Sequence, residues 1–176
     1  MPTKLSTDAS IAEPITCIIS DVDGVMTDGR IVYDDHGVET KRFHVRDGLG
    51  IKLWMRSGFA FAILSARQGN AVKKRAAELG IEHVAQGFEK KWPAAESLFD
   101  AIGCRPEQVC YIGDDLPDIA VMKRVALAVS PADAATDARD AAHWVLQKQG
   151  GEGAVRELVE RLLRAKGVWQ DHLDLH

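Results

Sequence analysis

The run Ile15-Thr16-Cys17-Ile18-Ile19-Ser20 is mostly apolar and β-branched, and it stops abruptly at Asp21-Val22-Asp23-Gly24. A segment that short and that apolar reads as a strand buried on both faces, entering a loop at its carboxyl end. The pattern recurs along the chain. Phe59 to Leu64 stops at Ser65-Ala66-Arg67, and Gln108 to Ile112 stops at Gly113-Asp114-Asp115. His83-Val84-Ala85 and Val125 to Val129 are further short runs of this type. Helix-period segments lie between them. One follows Asp47, its expected cap, to Arg56, with Leu49, Leu53 and Trp54 on one face. Another runs from Asn70 to Leu79 and is closed by Gly80. A third follows Lys91, with Pro93 in its tolerant first turn, and a fourth spans Gly151 to Lys166 around Val155, Leu158, Val159, Leu162 and Leu163.

Strands alternating with helices predict an α/β fold: a Rossmann-like parallel sheet with helices on both faces. Ile31-Val32-Tyr33, the turn Asp34-Asp35-His36-Gly37, and Val38 to His44 add a small β-hairpin after the first strand. The expected organisation is a flexible leader over 1–14, a single domain over 15–166 and a flexible tail over 167–176. A chain of 176 residues suits one domain, and its net charge of -4 leaves no basic excess for a nucleic acid. No apolar run reaches the roughly 20 residues that span a bilayer. Cys17, Cys104 and Cys110 have no metal-ligand spacing, and Cys17 and Cys110 sit in apolar runs as expected core residues. The cytoplasm is the expected location.

In parallel sheets of this kind a ligand sits outside the carboxyl ends of the strands. Three such ends here carry polar clusters. Asp21 and Asp23 are two apart on extended chain and project to the same side. Asp114 and Asp115 follow another strand, so several carboxylates are expected in one crevice. That much negative charge is costly without compensation, and a hard divalent cation such as Mg²⁺ resolves it. Asp118 lies one turn further on and reaches the same rim. Ser65, at a helix start, and Lys91 supply the opposite chemistry, a hydroxyl and a point charge for phosphate oxygens.

Taken in order, Asp21-Val22-Asp23-Gly24-Val25-Met26-Thr27, Ser65, Lys91 and Gly113-Asp114-Asp115 with Asp118 resemble the four motifs of the haloacid dehalogenase superfamily of phosphotransferases. The resemblance covers about Ile15 to Val129. It implies that Asp21 is the nucleophile, Asp23 the acid/base, and that Ser65 and Lys91 grip the phosphoryl group. It implies that Mg²⁺ is held by Asp21, the Asp23 carbonyl and Asp114, with Asp115 and Asp118 orienting the metal's waters or Lys91. Gly24 is expected beside the substrate. The stretches Thr27 to Phe59 and Ser65 to Lys91 leave no room for the inserted cap domain that many members carry.

Finer features resemble the phosphatases of 3-deoxy-D-manno-octulosonate (KDO) 8-phosphate within that superfamily. These are Phe43 to Ile51, Gln86-Gly87, Gly113 to Asp118 and Gly150 to Glu157. This implies a sugar-acid phosphate substrate in lipopolysaccharide precursor synthesis, and a homotetramer whose hairpins pair and whose subunits cover one another's sites. It also implies Arg46 and Arg67 as ligands of the sugar acid. A nine-carbon sugar-acid phosphate is the alternative substrate, and a non-catalytic oligomeric binding module is the alternative class.

Overall fold

The computed structural model describes residues 7–174. A parallel sheet runs through it, built from β1 (Cys17–Ser20), β4 (Ala60–Ser65), β5 (His83–Gln86), β6 (Val109–Ile112), β7 (Leu127–Ser130) and β8 (Trp144–Val145). Their order across the sheet is β5-β4-β1-β6-β7-β8. β1 is central, pairing in parallel with β4 on one side and β6 on the other. Because side chains alternate along a strand, each central strand feeds two cores. Ile18, Ile63, Cys110 and Val129 point into one, and Cys17, Ile19, Leu64 and Tyr111 into the other. The first core is covered by α2 (Val45–Arg56), α3 (Asn70–Leu79) and α7 (Ala154–Ala165). The second is covered by α4 (Lys91–Ile102), α5 (Ile119–Met122) and α6 (Thr136–Ala141). Cys17 and Cys110 are fully buried, as expected.

The hairpin forms from β2 (Val32–Tyr33) and β3 (Glu39–Thr40), an antiparallel pair outside the main sheet. Its turn is built by Asp34, whose carboxylate accepts the amides of His36 at 2.9 Å and Val38 at 2.8 Å. The side chains of Ile31, Val32, Tyr33 and Val38 are exposed.

Three expectations are corrected. The segment expected as a loose leader contains helix α1 (Asp8–Ala12). Thr7 caps it, Ala12 is buried, and the fork of Arg161 clasps Asp8 at 2.7 and 2.9 Å. The segment expected as a loose tail contains α8 (Trp169–Leu173), because the Trp169 ring is buried in the core, with Arg164 and Arg156 on it 5.0 and 5.2 Å from the centroid. The outermost residues of both segments lie outside the described range. Asp47 does not cap its own helix; His44 takes that position. Asp47 Oδ1 instead accepts the Arg156 amide at 2.8 Å and so ties the start of α7 to the first turn of α2.

Candidate active site

β1, β4 and β6 deliver their polar ends to one crevice of about 270 Å³, lined by Asp21, Asp23, Ser65, Arg67, Lys91, Asp114, Asp115 and Asp118 among others. Register explains the convergence: Ser20 lies opposite Ile63 and Ile112, so β1 and β6 end level and β4 runs two residues further, to Ser65. The chain then turns sharply at Gly24, whose φ of 85° suits glycine. A Cβ there would lie 2.0 Å from Asp114 Oδ2. Gly24 therefore makes room for the carboxylate and backs the acidic cluster. The glycines leading into α7 brace the same loop. A Cβ on Gly150 would sit 1.8 Å from the Gly24 carbonyl oxygen, and the Gly151 amide donates to the Val25 carbonyl at 2.9 Å.

Lys91 is the centre of the electrostatics. It opens α4, is only 2% exposed, and its Nζ lies 2.9 Å from Asp21 Oδ2 and 2.6 Å from Asp118 Oδ1. Burial alone would lower its pKa, but the Asp21 and Asp118 carboxylates outweigh that and raise it. Neighbouring Lys90 is exposed, so Lys91 is the lysine that reaches the crevice. Asp118 has all its acceptor capacity engaged. Oδ1 also takes the Tyr111 hydroxyl at 2.5 Å, and Oδ2 takes the amides of Asp114 and Asp115 at 2.9 and 3.1 Å. It orients Lys91 and folds the Asp114-Asp115 turn. Asp115 is exposed and accepts its own neighbour's amide, from Leu116, at 2.8 Å. Ser65 is buried at the end of β4.

Asp23 stands at the mouth. Its Oδ1 is bound by Lys41 Nζ, and its Oδ2 lies 3.8 Å from Arg67 Nε. Arg67 is anchored to Glu39 at 2.6 Å, while its buried Nε has no hydrogen-bond partner among the described residues. Arg46 is not brought to this crevice. It is exposed on the first turn of α2 and borders a separate groove with His44, Leu49 and Arg156.

Sequence reasoning missed Lys41, Glu39 and Tyr111. Tyr111 reads as an ordinary core aromatic until its register opposite Ile19 puts its hydroxyl beneath Asp118. Glu39 and Lys41 are two apart on extended chain, which puts both on one face. That signal was present, but nothing local says which surface the hairpin faces.

Carboxylate oxygens of Asp21, Asp114 and Asp118 come within 4.8 Å of one another. Since Asp118 is saturated, Asp21 and Asp114 are the pair left to share a divalent cation. Their energetics fit one. Burial, then the Asp118 charge, pushes Asp21 up to about 7 despite Lys91. Burial, then Asp21 and Asp118, pushes Asp114 up to about 8. Both carboxyls hold a proton more tightly folded than unfolded, where an aspartate titrates near ~3.9. Without a cation, the stability they contribute is present at acid pH and lost as pH rises through those values. Chelated protein should therefore melt at progressively lower temperature from about pH 5 to pH 9, and Mg²⁺ should restore more stability at the alkaline end. Equal Mg²⁺ stabilisation across that range, by differential scanning fluorimetry, would count against this pair as the cation site.

A family model for haloacid dehalogenase-like hydrolases matches residues 83–158. The KDO 8-phosphate phosphatase of Yersinia pestis is 44% identical over 155 residues, which is 88% of this chain and 83% of that protein. The Escherichia coli phosphatase of the same name is 44% identical over 156 residues, 89% of this chain and 83% of the relative. Among solved structures, the Moraxella catarrhalis KDO 8-phosphate phosphatase with magnesium ion, phosphate ion and KDO superposes with a TM-score of 0.93 at 35% identity, covering 98% of this chain and 99% of that one. The Yersinia pestis phosphatase superposes with a TM-score of 0.91 at 42% identity, covering 94% and 90%. With strand ends, crevice and relatives in agreement, the chain belongs to the haloacid dehalogenase-like hydrolases.

Proposed function

We propose that this protein hydrolyses KDO 8-phosphate to KDO and phosphate, using Mg²⁺ and an aspartyl-phosphate intermediate, in lipopolysaccharide precursor synthesis. The observation that carries the reading is the buried Asp21–Lys91–Asp118 set beside Asp114, with Asp23 separately held at the mouth. The similarity to named KDO 8-phosphate phosphatases supplies the substrate.

Asp21 attacks phosphorus through a carboxylate oxygen, and the bond to the sugar oxygen breaks. Asp23 gives its proton to that departing oxygen, then takes one from the water that cleaves the aspartyl phosphate. Lys91 and Ser65 face the transferring oxygens, and Lys91 supplies positive charge where negative charge develops. Asp21, Asp114 and the Asp23 carbonyl would hold Mg²⁺, which when bound offsets the charge of the phosphoryl group. Arg67, which lines the crevice with a partly exposed side chain held by Glu39, is the group offered to the sugar acid's hydroxyls or carboxylate.

The same reading makes the protein a cytoplasmic homotetramer joined through its hairpins. Supporting it are the exposed Ile31, Val32, Tyr33 and Val38 on that hairpin and the three unpaired cysteines. No helix among the described residues is long and apolar enough to cross a membrane. Purified protein should release phosphate from KDO 8-phosphate with Mg²⁺ and not after chelation, and should run as four chains by light scattering. A nine-carbon sugar-acid phosphate turned over with higher kcat/KM would reassign the substrate. Inactivity on a broad panel of phosphate esters would overturn the enzyme reading.

A further inference from the structure

The hairpin sits beside the reaction without contributing any residue to the roles above. Its side-chain chemistry is nevertheless directed at the catalytic loop. Lys41, just past β3, is 3% exposed along its side chain, and its ammonium meets two carboxylates: Asp23 Oδ1, and Glu39 Oε1 at 3.5 Å. A buried ammonium is tolerated only when paired, so the contact is enforced and not incidental. The same Glu39 oxygen holds Arg67 at 2.6 Å, and Arg67 Nε stands 3.8 Å from Asp23 Oδ2. The two oxygens of Asp23 are therefore unequal. Oδ1 is tied down by the hairpin, whereas Oδ2 has no direct partner within hydrogen-bond distance among the described residues and remains for the substrate.

We propose that Lys41 is a positioning residue for the phosphoryl transfer proposed above: by anchoring Asp23 Oδ1 it aims Oδ2 at the departing sugar oxygen. The inference rests on the reading of Asp23 as the acid/base. Nothing in it requires Lys41 to touch substrate. A general acid works only when held within hydrogen-bond reach of the atom it protonates, and a free carboxylate rotor samples that position a fraction of the time.

The test uses leaving groups. An alkyl phosphate such as the sugar-acid substrate loses an alkoxide that needs a proton as it leaves. 4-Nitrophenyl phosphate loses a stable phenolate that does not. The ratio of their kcat/KM values isolates steps up to departure of the leaving group, so the later hydrolysis, common to both, drops out. Lys41→Met should lower kcat/KM for the sugar-acid phosphate by about 100-fold while changing that for 4-nitrophenyl phosphate by less than about threefold. Lys41→Arg keeps the charge but not the single point contact, and should lower the ratio by about tenfold. It decides the matter if the Met variant fails to fold. Asp23→Asn is the reference and should show the same selectivity at larger size. If Asp23→Asn shows none, the acid/base reading fails, and the inference with it. If Asp23→Asn is selective while the Lys41 variants lose both substrates equally, or neither, Lys41 is a structural tie only and the proposal is overturned.

Discussion

Asp21→Asn should abolish phosphate release from every substrate while leaving the fold as stable as the parent. Asparagine keeps the shape of the side chain but cannot form an acyl phosphate by the same attack. Where an enzyme works through a covalent intermediate, loss of the nucleophile removes on the order of 10⁶-fold of kcat. The stability half of the expectation follows from the electrostatics. Burial and the Asp118 charge hold the Asp21 carboxyl above the ordinary range, so its ionised form is a liability to the fold near neutral pH. Lys91 keeps its 2.6 Å contact with Asp118 when Asp21 is neutralised, so no charge is orphaned. The melting temperature should accordingly hold or rise slightly near neutral pH. Normal turnover by a variant verified free of deamidated protein would remove Asp21 from the mechanism.

Lys91→Met should cost both activity and stability. Lys91 is the only cation recorded in contact with Asp21 and Asp118 among the described residues, and Asp114 lies close enough to feel it. Methionine fills much of the same volume, so packing is nearly conserved and the loss is electrostatic. Removing one partner of a buried ion pair costs about 3–5 kcal/mol, because the remaining charge has no compensation. For a chain of this size each kcal/mol moves the melting temperature by about 2–4 °C, so a drop on the order of 10 °C is expected in chelator. The drop should be smaller at acid pH, where the orphaned carboxyls protonate, and smaller with Mg²⁺, which offsets the same charge. Loss of the charge facing the transferring oxygens should also lower kcat by about 10²-fold to 10³-fold. A melting temperature unchanged in chelator at alkaline pH would mean that Lys91 does not compensate the cluster. The contrast between the variants is informative: Asp21→Asn removes chemistry and relieves charge, whereas Lys91→Met removes compensation and exposes it.

Much of this was legible in residue order. β1, β4 and β6 announce themselves by apolar runs too short for helices, and their polar ends name Asp21, Asp23, Ser65 and Asp114 as crevice residues. Buried strands are legible because a central parallel strand is apolar on both faces and needs no partner to be identified. α3 was expected over Asn70 to Leu79 with Gly80 closing it, and the structure gives that range with Gly80 at φ 79°. The short elements α1, α5, α6, α8 and β8 leave no such signal in residue order. They are 6 residues or fewer, too short for periodicity, and owe their form to what they pack on, as Trp169 does.

Hydrophobic period and strand length are local properties, so the sheet, the strand ends and the acid-rich chemistry collected there follow from residue order. Which polar groups face one another depends on the folded chain. The fold made Asp47 a cap for α7 instead of α2, set Gly24 where Asp114 needs the space, and left Arg46 outside the crevice. It also brought Lys41 onto Asp23, 18 positions away in sequence, and the Tyr111 hydroxyl onto Asp118. Such pairings depend on register and on where a hairpin folds back. Charges and hydrogen bonds act over a few ångströms of space, whatever the distance along the chain.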